Sequence, residues 1–274
     1  MNYLQVRGSD GTFKFMVLNS YNEEIFSSQN KTEVTMAYRG YYQPGDKISI
    51  VTDTKGLYLK LRLDDSLDES WVYLTDYQYI FTIPFAQERK PYGVGAFSQE
   101  RHFAYASIIS EAEFMNYHNV AKNSFDTNYN QVLYPHVTTN VKTTNPQFYA
   151  RNAIDGIFET SNHGSWPHSS WGINQQSNAW LKIDFGAMVE IDKIYLYLRA
   201  DFPHDNWWHQ AKISFSDGTI QEIKLSKTGS RQVIAFTTKK ITWLILSNLQ
   251  MSDEESQFPA LSQIMVMGRK INEN

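Results

Sequence analysis

Apolar and polar positions alternate in short runs with a period of two along most of the chain, and almost no segment sustains a period of 3.6. That pattern predicts half-buried strands rather than amphipathic helices. In the first half, residues 13–18, 47–51, 57–63 and 79–83 read as strands. Between them stand the turn-forming clusters Gln43-Pro44-Gly45-Asp46, Thr54-Lys55-Gly56 and Leu63-Asp64-Asp65-Ser66. A further run at 102–109 closes the unit, and a short helix follows, with Ser110 as N-cap and Glu113 at the reciprocal capping-box position. Residues 119–135 are polar, Asn-rich and aperiodic, the composition of a linker, which sets a boundary near residue 125.

Alternation resumes beyond it. Leu181, Ile183 and Phe185 share one face; Ile194, Leu196 and Leu198 point inward, leaving Tyr195, Tyr197 and Arg199 opposite. Two strands joined by Asp217-Gly218 within residues 211–223 give the strongest hairpin signal, and further strands are expected at 232–236, 241–246 and 263–267. The expected class is all-β, with two β-sandwich domains at 1–125 and 126–274, the second a sandwich or jelly roll.

Length and composition agree. A chain of 274 residues with 42% apolar content can bury two cores. A formal charge of −4 without a basic block argues against nucleic acid as a partner. The sequence has no apolar run long enough for a transmembrane segment and no signal-peptide pattern at its start, so a soluble protein is expected, cytoplasmic by sequence and extracellular if exported by another route. The absence of cysteine removes disulfides, thiolate zinc sites and cysteine nucleophiles together.

The chemistry concentrates between residues 163 and 209, which hold five of the seven tryptophans and four of the seven histidines in Gly-, Pro- and Ser-rich surroundings. His163, Trp166, His168 and Trp171 come first; Arg199, Asp201, His204, Asp205, Trp207 and Trp208 follow after two apolar strands. Flat apolar rings beside fixed donors and acceptors suit a hydroxylated ring with one apolar face, so these ten residues are the candidate sugar site. Four of them have a plainer reading. Trp166 and Trp171 could plug one end of the sandwich, and Arg199 with Asp201 could be a self-satisfied surface pair worth about 0–1 kcal/mol. His163, His168, His204, Asp205 and His209 could instead gather a zinc or iron ion, although no helix-borne metal spacing is present.

Four landmarks carry a resemblance: Ala150-Arg151-Asn152-Ala153-Ile154-Asp155-Gly156, then residues 180–186, then Phe215-Ser216-Asp217-Gly218, then residues 260–268. In order and spacing they resemble the discoidin-like domains, the coagulation-factor C-type and related galactose-binding-like carbohydrate-binding modules, over roughly residues 137–268. The resemblance implies an eight-stranded jelly roll whose loops at one end bind a sugar, a lipid head group or a protein surface. Trp beside His, Arg, Asp and Asn favours sugar over membrane. It also implies a structural calcium, with Asp155 and Thr160 as ligands and the carbonyls of Asn152 and Ala260 nearby; Gln263 stands where the family usually has a glutamate. The expected function is therefore non-catalytic, lectin-like carbohydrate binding with no required cofactor. The alternatives are a polysaccharide- or glycoconjugate-active enzyme using Asp201, Asp205 and the histidines, or a protein-docking adhesion module.

Overall fold

The computed structural model describes residues 13–200 and 206–271. The first half contains β1 (Phe13–Leu18), β2 (Glu24–Asn30), β3 (Glu33–Arg39), β4 (Lys47–Val51), β5 (Leu57–Arg62), β6 (Ser70–Leu74), β7 (Gln78–Thr82) and β8 (Arg101–Ile108). They form two antiparallel sheets, ordered β2-β1-β4-β7 and β6-β5-β8-β3. Phe15, Ile48 and Phe81 from the first sheet and Met36, Leu59 and Val72 from the second meet in one core, each 0–1% exposed. The alternation that predicted β1, β5, β7 and β8 is thus the alternation between the core and the outer face, whereas in β4 the polar Ser49 is buried as well. β2 escaped that reading because it is an edge strand buried on neither face along most of its length. β3 and β6 do alternate in burial but were also missed.

The helix α1 (Glu111–Phe114) has the predicted capping box: Glu113 N donates to Ser110 Oγ while Ser110 N donates to the Glu113 carboxylate. The acidic turn after β5 is closed by Asp64, which accepts from Ser66 N and Phe97 N.

The second half contains β9 (His118–Asn119), β10 (Leu133–Tyr134), β11 (His136–Thr139), β12 (Trp171–Gly172), β13 (Leu181–Arg199), β14 (Trp208–Phe215), β15 (Ile220–Lys224), β16 (Gln232–Met251) and β17 (Ala260–Lys270). Its sheet runs β12-β17-β13-β16-β14-β15, with β11 added to β13 and β9 to β17, while β10 pairs with β6 of the first half. β13 is the organiser. Its start pairs with β11 and with residues 243–246 of β16; after an irregularity between Asp184 and Val189 it pairs with β17 and residues 232–241. One continuous chain therefore serves both layers around one core, a jelly-roll sandwich. Gly186 sits at that bend with φ +71, a region that disfavours side chains, and a Cβ there would strike Tyr134 at 2.5 Å.

Two expectations need correction. The strands expected at 232–236 and 241–246 are parts of the single β16. Arg199, expected on the outward face, keeps that face, since the residue skipped at the register shift between Tyr197 and Leu198 is Ser262 of β17, but it is only 4% exposed because Ser170 and Phe148 of the loops lie against it.

Residues 119–135 look like a linker in composition yet lie among the most buried of the loops. Phe125 belongs to the first core and Ala121 to the second. The asparagines serve as turn builders: Asn119 Oδ1 accepts from Ala121 N and Val266 N, Asn123 Oδ1 from Phe125 N, and Asn130 Oδ1 from Val132 N and Leu133 N.

Candidate functional site

At the loop end of the second sandwich lies a hollow of about 380 Å³, walled by His163, Arg199, Phe148, Phe258, Asn145 and Asn174. Arg199, the last residue of β13, reaches it from the end of that strand. Its Nη1 lies 3.4 Å from Ser170 Oγ, and its guanidinium sits 5.8 Å from the centre of the Phe148 ring. Ser170 is itself fixed, with its N donating to Gln147 O at 2.9 Å. Asn152, fully buried in the first sequence landmark, ties the two loops together by donating from Nδ2 to Pro146 O at 3.0 Å and to Ser170 O at 3.3 Å.

The aromatic walls are held as firmly. Phe148 ends a one-turn 3-10 helix, Pro146–Phe148, capped by Asn145. Gly172 lets its ring lie close, since a Cβ on that glycine would meet Phe148 at 3.3 Å. Phe258, 53% exposed, ends the loop after β16. That loop hangs on buried Asn206, whose Nδ2 donates to Ser256 O at 2.6 Å and whose Oδ1 accepts from Ser252 Oγ at 2.8 Å.

Of the ten residues predicted from sequence, the structure brings His163 and Arg199 together in this hollow. Trp171 and Trp208 are 0% and 1% exposed, with ring centres 6.1 Å apart inside the core, so neither offers a stacking face to a ligand. For Trp171 the plainer reading, a plug at one end of the sandwich, is the one its burial supports. Trp207 packs on that core and donates from Nε1 to Glu254 at 3.2 Å, bracing the loop that ends in Phe258. Trp166 turns toward the first half: its N donates to Lys90 O at 2.7 Å and its ring lies over Gly93. His168 is half-buried, its N donating to Ser165 O. Asp201, His204 and Asp205 lie outside the described residues. Sequence reading missed Phe148, Asn145, Asn174 and Phe258. The available signals were Asn145-Pro146 and Phe258-Pro259, two turn-marking pairs at the ends of polar stretches.

Among the described residues, no three His, Cys, Asp or Glu side chains come together. Of the calcium donors implied by the resemblance, Asp155 and Gln263 both accept from the turn that follows Asp155. Asp155 Oδ1 accepts from Ile157 N at 2.8 Å, Gln263 Oε1 from Gly156 N at 3.3 Å, and Thr160 Oγ1 lies 3.5 Å from Gly229 O. Burial pushes the Asp155 carboxyl up to about 7, against the opposing pull of Arg151 and Lys122. The implied side-chain donors are thus one carboxylate, Asp155, and the neutral oxygens of Thr160 and Gln263, with Arg151 and Lys122 acting on that carboxylate, whereas a hard divalent cation favours several oxygen ligands with carboxylates among them.

A family model described as a domain of unknown function (DUF7402) matches residues 134–267. No curated protein matches the chain. Among solved structures, a Streptococcus pneumoniae fucose binding module, SpX-3, is similar at 18% identity and TM-score 0.40, covering 54% of this chain and 96% of its own. Chitosan-binding module 1 of a chitosanase/glucanase from Paenibacillus sp. IK-5 is similar at 16% and 0.37, covering 54% and 98%. The family 32 carbohydrate-binding module of C. perfringens NanJ, solved with galactose, is similar at 14% and 0.38, covering 48% and 91%.

Proposed function

We propose that the second sandwich binds carbohydrate, without catalysis, in the hollow between His163, Arg199, Phe148 and Phe258. The observation that carries this reading is the wall chemistry. A half-exposed phenyl ring and a guanidinium held by neighbouring loops share one small concave site with an imidazole and two amides. Phe258 would lie against the apolar face of a pyranose, while Arg199 donates a fork of hydrogen bonds to ring and hydroxyl oxygens and Asn145, Asn174 and His163 set hydroxyl orientation. A shallow site of this kind gives dissociation constants of roughly micromolar to millimolar, so useful affinity comes from repeated sites or polymeric ligands.

The test is a broad glycan array with galactose-, fucose- and glucosamine-terminated members, followed by titration calorimetry on the wild type and Phe258→Ala. Because Phe258 is exposed, the variant should melt with the wild type and bind about tenfold more weakly. Wild-type silence on every glycan would overturn the reading.

A further inference from the structure

The hollow is not isolated. It shares Phe148, Thr143 and Asn174 with a second hollow of about 570 Å³, which in turn shares Tyr149 and Asn128 with a third of about 290 Å³. The rings that separate successive hollows are therefore neighbours in sequence, Phe148 and Tyr149, carried on one rigid turn. Phe148 N donates to Asn145 O at 3.0 Å, and Asn152 holds Pro146 O from below. The third hollow opens between the two halves of the molecule: Pro84, Phe85 and Glu88 of the first half face Tyr149 of the second. Tyr149 Oη donates to Glu88 across that junction at 3.3 Å, and Tyr129 stands at its mouth with 93% of its surface exposed.

We infer that these three hollows form one track for an extended glycan chain, which enters at Phe258 and runs over the Phe148 and Tyr149 rings onto the first half of the protein. The inference rests on the glycan reading of the first hollow and gives the first half a share in binding. Three features favour a glycan over other occupants. The hollows repeat in a row, as the sugars of a polymer do, and a ring that can lie against a pyranose face stands between each pair. The polar walls are mostly Thr143, Thr144, Asn128 and Asn174, whose hydroxyls and amides can donate and accept, as sugar hydroxyls do. Finally, the track is preformed by a hydrogen-bonded turn, so a long ligand orders little protein on binding.

The test compares one- to six-unit ladders of β-1,4-linked glucosamine, N-acetylglucosamine and glucose, together with galactose- and fucose-terminated oligosaccharides, by calorimetry on the full chain. For the ligand class that binds, affinity should climb with length by tenfold or more before levelling. Tyr129→Ala should cut the ratio of hexamer to monomer affinity about threefold to tenfold, the worth of one lost aromatic contact. Phe258→Ala should weaken monomer and hexamer alike. A monosaccharide that binds as well as its hexamer, or a Tyr129→Ala variant that keeps the full gain with length, overturns the track and leaves the first hollow standing. No binding of any length by the wild type overturns both.

Discussion

Phe258 and Trp208 are both large aromatics near one end of the sandwich, and only burial distinguishes their roles. One presents half of its surface to the hollow; the other presents almost none. Lys270 is the opposite kind of exception, a cation 1% exposed, whose Nζ lies 4.6 Å from the centre of the Tyr58 ring and has no hydrogen-bond partner among the described residues. Burial lowers its amine to about 7. His118 is the titratable neighbour, packed 4.5 Å from Trp71 and also held below its ordinary value, chiefly by burial. Between pH 7 and the unfolded value near 10.5, the unfolded chain binds more protons than the folded one, so Lys270 makes stability rise with pH in that window. Below it the cost of burying the charge is present in full. Lys270→Met should therefore melt higher than the wild type at pH 7 and below, by about 1–3 kcal/mol of stability, and the difference should shrink toward pH 10. A variant that melts lower at pH 7 would show that the amine has a partner after all.

The loops at the site are positioned by strands and by single buried amides. Asn206 lies just before β14 and holds residues 252–256 through three carbonyl contacts, while Asn152 ties the Pro146 turn to Ser170. Asn206→Ala leaves those carbonyls without their donor, at about 1–3 kcal/mol in stability. Hydrogen exchange across residues 252–258 should accelerate in this variant while the centres of β13 and β17 keep their protection. Glycan affinity should fall with it, because Phe258 loses its fixed position. Unchanged exchange in that loop would remove Asn206 as its anchor. β13 and β17 depend on a close approach of another kind: a Cβ at Gly268 would collide with Glu190 O, so the pairing of these strands requires glycine there.

Two cores are stitched into one molecule by the buried stretch 119–135 and by cations that cross the junction. Arg151 donates from Nε to Asp126 O at 2.9 Å and from Nη2 to Ser124 O at 2.8 Å, and its guanidinium lies 4.7 Å from the centre of the Tyr92 ring in the first half. Lys122 bonds Asp68 at 3.0 Å. These side chains supply positive charge near Asp155, where the resemblance implies calcium. The expected outcome of adding a strong chelator is an unchanged melting temperature, whereas Arg151→Met should lower it sharply, by about 3–5 kcal/mol in stability. A chelator-induced drop in calorimetry would restore the metal.

The period-two alternation was enough to give the all-β class, because it directly records which side of a strand meets the core, as in β1, β7 and β8. The Asp217-Gly218 hairpin and the Ser110 capping box were equally legible, since both are local and depend on residues within a few positions. His163 and Arg199 could be named as candidates because guanidinium and imidazole groups in loop-like sequence are conspicuous. What the linear pattern could not convey was burial at the loop end. Trp171 and Trp208 share their Gly-, Pro- and His-rich surroundings with Trp166, and only the folded layers decide which ring is enclosed. Phe148 and Phe258 lie 110 positions apart and become walls of one hollow when β13 bends, β17 returns beside it and Asn206 hangs the last loop in place. The Asn-rich stretch 119–135 shows the same limit: its composition is that of a loop, but its burial follows from the two cores that close around it.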